Sequence, residues 1–152
     1  MQYREATIAD IPAIAGIRAS VWETKTYWIN RITAYMSGEH HPQQALLPRI
    51  VYVALEEENV VGFIAGHLTR RYECNGELEW INVTAENQQK RIASTLLVLL
   101  ARWFVMQQSP RICVNADPEN TVAVNFYKRH GAKEFNKYWL IWEDISIVLK
   151  ER

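Results

Sequence analysis

The stretch "ENQQKRIASTLL", residues 86–97, decides how this chain folds, and it also poses a chemical question. Gln88, Lys90 and Arg91 stand immediately before an apolar run with helical spacing. A helix start exposes N–H groups without intrahelical partners, together with the positive end of the helix dipole, and so suits a phosphate. Turns that press backbone amides against a phosphate usually contain glycine, which tolerates unusual angles and close approach. This one has none. With ordinary helical angles at Arg91, the guanidinium is free to reach a phosphate. With positive φ, arginine there costs about 1 kcal/mol or more. The plain alternative is a charged first turn on a buried helix.

Working outward, Ile92, Leu96, Leu99, Leu100 and Trp103 recur at helical intervals and predict a long buried helix. "ELEWINV" (77–83) before it and "PRICVNA" (110–116) after it are apolar strands. Strand, helix and strand in this order predict a parallel, right-handed crossover over residues 77–116. Upstream, "RIVYVALEEENVVGFIAGHL" alternates on both sides of "EEEN" and reads as a hairpin, with "ECNG" as a second turn. Near the N-terminus, "TIADIPAIAGIRASVW" reads as a helix with Thr7 and Asp10 as a capping box. Trp28, Ile32, Tyr35 and Met36 space a second helix, and "GEHHPQQALLP" is a loop with room for a short helix. Downstream, "PENTVAVNFYKRHGA" is a helix capped by Asn120 or Thr121 and stopped by Gly131. Two strands, around "KYWLIWE" and "ISIVLK", end the pattern. The expected fold class is α/β (α+β): one domain over residues 1–152, with a mixed sheet flanked by helices.

Composition narrows the function classes. The chain has 152 residues, 49% hydrophobic and 22% charged, ordinary values for a globular domain with a sizeable core. Lys+Arg and Asp+Glu are both 17, so no whole-molecule field favours nucleic acid. Cys74 and Cys113 are widely separated and form no CxxC pair, which argues against a zinc site and gives no disulfide framework. His40-His41 has no ligand pattern around it, so no metal is expected. The start of the sequence lacks the long apolar core of a signal peptide, and no window approaches a bilayer span. The expectation is a cytoplasmic protein without a membrane partner. "NVT" at Asn82 matches a glycosylation sequon but falls in a strand pattern, and is read as coincidence.

Two segments together resemble the GNAT superfamily of acyl-CoA-dependent N-acetyltransferases. The family turn, Gln/Arg-x-x-Gly-x-Gly/Ala after a strand and opening a helix, corresponds to residues 88–93, with Gln88 and Ala93 matching and Arg91 replacing the central glycine. The family's Asn-x-x-Ala-x-x-x-Tyr running to a glycine corresponds to Asn120, Ala123, Tyr127 and Gly131. The resemblance implies a mixed, mostly antiparallel sheet of six to seven strands with about four helices, and acetyl-CoA as co-substrate. It implies that Gln88, Gln89, Lys90, Arg91, Ile92, Ala93, Ser94 and Thr95 hold the pyrophosphate, with Asn120 as a further contact. It further implies main-chain contacts from Ile81 and Val83 to the pantetheine arm, and an N–H near Val83 facing the reacting carbonyl oxygen.

Acyl transfer to an amine needs the amine neutral, although such amines titrate near pH ~10.4. A desolvated carboxylate is a suitable base, and Glu77 and Glu79, two apart on one strand, share a face unless a bulge intervenes. The resemblance ranks Glu77 first and Glu79 second, although two solvated glutamates at a strand end explain the pattern nearly as well. It makes Tyr127 the acid that protonates the leaving thiolate, against the plain reading of an aromatic core residue. Cys113 reads as a small buried residue and His130 as a helix-end residue. Trp22, Tyr27, Trp28, Tyr35, Tyr138, Trp139 and Trp142 read equally as lining for the amine acceptor, with Glu23 and Glu39 orienting it, or as a second core or homodimer contact. Three functions remain: acetyl transfer to a primary amine of a small molecule or peptide, a non-catalytic acyl-CoA sensor, and a dimerisation domain without cofactor.

Overall fold

The computed structural model describes residues 1–39 and 45–150. Its elements are β1 (Gln2–Glu5), α1 (Ile11–Ala19), α2 (Lys25–Ser37), β2 (Leu46–Glu56), β3 (Asn59–Leu68) and β4 (Gly76–Val83). There follow α3 (Ile92–Met106), β5 (Ile112–Asn115), α4 (Thr121–Arg129), β6 (Lys133–Asn136), β7 (Trp139–Trp142) and α5 (Ile147–Lys150). Seven strands form one sheet in the order β1-β2-β3-β4-β5-β7-β6. Every neighbouring pair is antiparallel except β4 and β5, which are parallel and joined through α3.

Both sheet faces are covered. One carries Ile50, Ala54, Ile64, Leu78, Ile112 and Val114 against Leu96, Leu97, Leu100 and Phe104 of α3. The other carries Val51, Val53, Phe63, Ala65 and Trp80 against Ile14 of α1 and Trp28, Ile32 and Tyr35 of α2. The long apolar strands β2 and β3 therefore alternate between two cores rather than between core and water. Their hairpin closes through Glu57 and Glu58 at φ 50° and 71°, the two left-handed residues of a turn whose twist matches the strands. Gly76 lets α3 approach the sheet, since a Cβ there would clash with the ring edge of Phe104.

Three local expectations need correction. "QYRE" forms the edge strand β1, which has no apolar pattern and is defined by its backbone pairing with residues 52–55 of β2. The last two strands are "KEFN" and "WLIW", whereas "ISIVLK" ends in α5. Its apolar alternation also fits a helical turn, and Ile145 and Val148, three apart, are the residues it buries. Leu46, Leu47 and Pro48 belong to β2, not to a loop; the rest of that loop, with His40 and His41, lies outside the described residues.

Cys74 and Cys113 pack together with Ile141 as buried thiols, and the hydrogen bond with Cys74, together with burial, pushes the Cys113 thiol up. Among the described residues no helix is long and apolar enough to cross a membrane.

The N-terminus is fastened by Asp10. Its carboxylate accepts from Thr7 N–H at 2.8 Å and from both Arg4 terminal nitrogens at 2.7 and 3.0 Å. The Arg4 hydrogen bonds hold the Asp10 carboxyl below its ordinary value, against the opposing effect of burial. Asp10→Ala should therefore cost about 1 kcal/mol in urea unfolding at neutral pH, as loss of a helix cap does. Because the folded-state pKa is depressed, this advantage is lost as pH falls through it, and the two proteins should converge in acid. A gap that persists there would assign the effect to packing.

Candidate functional site

The site begins with an irregularity in β4. His67 pairs with Glu77, Gly66 with Leu78, and Ala65 with Trp80, so Glu79 is an extra residue without a partner on β3. Glu77 and Glu79 share the face covered by α1 and α2 despite the bulge, which brings Trp80 onto that face as well. It also ends the regular sheet on the other side. β5 pairs with β4 only from Gly76 to Leu78, so residues 79–83 run on without a neighbour in that direction. Thr84 N–H donates to the Val61 carbonyl at 2.8 Å, towards β3. Alternation along the strand then turns the main-chain groups of Ile81 and Val83 to the opposite, opened edge. The Val83 carbonyl accepts from Gln88 Nε2 at 3.3 Å, consistent with that direction.

The turn leading into α3 answers part of the glycine question. Gln89 and Arg91 both have positive φ, 66° and 62°. Arg91 is the residue before the helix and is left-handed, so the strained of its two alternatives holds. No side chain caps this helix end. Gln88, Gln89, Lys90 and Arg91 are exposed, with Lys90 Nζ donating to Asn87 Oδ1 at 3.1 Å. Ala93, Ser94 and Thr95 are half-buried, and Ser94 Oγ lies 3.1 Å from His130 Nε2. Ile92 has a core side chain, so only its main chain faces the turn. Asn120 Oδ1 accepts from Ala123 N–H at 3.2 Å, the bond of an N-cap.

The two glutamates sit in unlike surroundings. Glu77 is buried, with Oε1 accepting from Arg71 Nε at 3.1 Å and lying 3.5 Å from His67 Nε2. Glu79 Oε1 lies 3.7 Å from His67 Nδ1, and its side chain keeps 14% of its surface open. Desolvation raises the Glu79 pKa, and the charge of Glu77 raises it further. The Tyr35 hydroxyl is 2.8 Å from the same His67 Nδ1 and closes the network from α2. His67, Glu77 and Glu79 each offer a donor atom within 4.8 Å of the others, a spacing that suits a cation. Arg71 already occupies Glu77, and Tyr35 already occupies His67.

Tyr127 is buried on α4, edge-on to Trp142, and burial raises its pKa, partly offset by the charge of Arg18. Arg18 on α1 donates to Asn82 Oδ1 at 2.9 Å and lies 4.4 Å over the Trp28 ring. Arg18, Asn82, Tyr127 and Glu79 thus gather where β4 leaves β5. Trp28, Tyr35 and Trp142 are core residues, whereas Trp22, Tyr27 and Tyr138 are exposed and Trp139 lies beneath Arg71. Glu23 and Glu39 are exposed, with Glu39 accepting from Ser37.

Sequence reasoning did not single out Arg18, Arg31, His67 or Arg71, and it read Asn82 only as a sequon. His67 becomes visible only through its register opposite Glu77.

The sequence matches the acetyltransferase (GNAT) family over residues 15–132. No curated protein matches it in sequence. Similar solved structures include the PaiA N-acetyltransferase of Thermoplasma acidophilum in complex with coenzyme A, at 16% identity and TM-score 0.70, covering 94% of this chain and 98% of that one. Aminoglycoside 6'-acetyltransferase type Ii is 18% identical with TM-score 0.76, covering 95% and 97%. The ribosomal-protein-alanine N-acetyltransferase of Brucella melitensis is 18% identical with TM-score 0.66, covering 93% and 97%. At these identities the likeness is one of fold.

The strain at Arg91 can be measured. Arg91→Gly should raise the unfolding free energy by about 1 kcal/mol, since a left-handed residue with a Cβ carries that order of cost. Equal or lower stability would mean that contacts of the arginine side chain outweigh the strain.

Proposed function

The chain belongs to the acetyltransferase (GNAT) family, and from that premise we propose that it transfers an acetyl group from acetyl-CoA directly to a primary amine. The observation that carries this reading is the opened edge of β4: residues 79–83 have no strand on the β5 side, and that edge is bordered by Glu79, Tyr127 and an uncapped helix start. In this reading the main chain of Ile81 and Val83 receives the pantetheine arm, and the start of α3 with Lys90 and Arg91 receives the pyrophosphate. The likeness to a fold crystallised with coenzyme A supports the choice of co-substrate.

Glu79, rather than Glu77, is the base. Glu77 is committed to Arg71, and a buried ion-paired carboxylate is poorly placed to meet an incoming amine. Glu79 is partly open, and its raised pKa brings its basicity closer to that of a working base. Glu77 positions His67 and supplies the charge that raises Glu79. Tyr127, kept protonated by burial, is the acid for the departing thiolate.

Thermal stabilisation by acetyl-CoA, but not by adenine nucleotides lacking pantetheine, tests the co-substrate. Thiol release with an amine panel tests turnover. The left-handed Arg91 favours one second reading, a non-catalytic acyl-CoA module, and stabilisation without thiol release across the panel would establish it.

Three variants test the roles. Tyr127→Phe should lower kcat by about 10²-fold or more, the scale of general acid–base catalysis, while retaining acetyl-CoA stabilisation; unchanged kcat removes Tyr127 as the acid. Glu79→Gln should abolish most turnover and raise Tm at neutral pH. The sign follows from linkage: with a folded-state pKa above its unfolded value, ionised Glu79 destabilises the fold above both values and is neutral below them. The Tm gain should accordingly vanish in acid. Glu77→Gln should move the acidic limb of the rate profile to lower pH, because it removes a like charge. A limb that stays in place, or follows Glu77, would reverse the assignment.

A further inference from the structure

Beside Glu79 the site carries more positive charge than the proposed chemistry uses. Arg18 and Arg31 flank the buried indole of Trp28, at 4.4 and 5.9 Å from its centroid, and Arg31 also lies 5.6 Å from the Trp80 centroid. Arg18 spends one terminal nitrogen on Asn82, and Arg31 spends one on the Tyr27 hydroxyl at 3.3 Å. In both residues the Nε atom is buried without a hydrogen-bond partner. A buried donor left unsatisfied costs free energy, and a guanidinium meets a planar carboxylate with two parallel hydrogen bonds. Each guanidinium lies within electrostatic range of the other and of Glu79. Among the described residues, the other carboxylate of the cluster is Glu77, which Arg71 holds.

We infer that the acceptor is an amine that also bears a carboxylate, such as an amino acid or short peptide, with Arg18 and Arg31 receiving the carboxylate while the amine meets Glu79. This deepens the acetyltransferase reading and rests on it. Two guanidiniums beside one glutamate disfavour a polycation: each added positive charge would be desolvated against like charge, whereas a carboxylate can pair with the second terminal nitrogen of each arginine, beyond the one given to Asn82 or Tyr27. The aromatic rings beneath the arginines hold them in place.

The test pairs each acceptor with its own uncharged counterpart. Thiol release from acetyl-CoA is measured with free amino acids and dipeptides, with the corresponding carboxamides, and with polyamines and aminoglycosides. The free acids should exceed their amides about tenfold or more in kcat/KM, the order expected for one charge-assisted hydrogen bond, with the difference lying in KM. Arg31→Gln should erase most of that preference, and Arg31→Lys should restore part of it. Arg18 also holds Asn82, so Arg31 is the safer position. Acetyl-CoA stabilisation of each variant, read separately, reports on the underlying acetyltransferase reading.

Equal rates for acid and amide, or a preference for polycations, would overturn the inference while leaving acetyl transfer intact. So would a requirement for the carboxylate on the acyl group instead, seen as succinyl-CoA outperforming acetyl-CoA with plain amines. If acetyl-CoA fails to stabilise the wild type, the acetyltransferase reading falls. Binding of the free acids over their amides, followed by calorimetry in wild type and Arg31→Gln, then decides the arginine pair alone.

Discussion

One extra residue in β4 organises this molecule. The bulge at Glu79 puts two successive side chains, Glu79 and Trp80, on the same face of the sheet. Trp80 enters the core between Trp28 and Tyr35, with ring centroids at 5.6 and 4.9 Å. Glu79 keeps the face of Glu77, beside His67, and the bulge brings the indole of Trp80 onto that face next to it. A bulge also increases local twist and bends its strand. The bend accompanies the departure of β5 after Leu78, which frees the far edge of β4. The aromatic floor beside the carboxylate and the open backbone edge both accompany the same irregularity.

The buried polar cluster shows how one imidazole can separate two like groups. Glu77 and Glu79 both face His67, from opposite ring nitrogens. They differ in what else they meet: Arg71 bonds to Glu77 directly and reaches Glu79 only through its field. Unequal surroundings push paired carboxylates apart in protonation, and the one left desolvated becomes the stronger base. Tyr35, fixed by Arg49 over its ring at 4.9 Å, holds the imidazole from the far side. Tyr35, His67 and Glu77 are themselves buried, which fixes the centre of the arrangement.

The crossover was legible because it is written in apolar periodicity. A fifteen-residue helix with eight buried positions has few alternative readings. The edge strands were not. β6, "KEFN", is exposed throughout, so nothing in its composition separates it from a turn, and only pairing with β7 makes it a strand. The glutamates were visible as a pair, but their ranking depends on Arg71, which reaches Glu77 from the loop before β4, and on a bulge that no residue announces. Arg18 lies in an apolar helix, where an arginine reads as a solvated face. Its contact with Asn82, sixty-four positions away, is a tertiary fact.

The absence of glycine from the turn before α3 has a mechanical answer. Glycine offers two separable services there, access to left-handed angles and room for close approach. Arg91 and Gln89 reach those angles without it, and such conformations persist when surrounding bonds over-determine them. The bonds are present. The Arg91 carbonyl accepts from Thr95 N–H and from Thr95 Oγ1, each at 3.0 Å, which ties the strained residue to the first turn of α3. Upstream, Gln88 ties to Val83 and Lys90 to Asn87, while Asn87 Nδ2 donates to Thr84 Oγ1 at 2.9 Å. Neighbouring side chains and the Arg91 carbonyl therefore hold the turn that glycine would have relaxed. Arg91 also places a formal positive charge at a helix start, where the dipole alone supplies only a partial one.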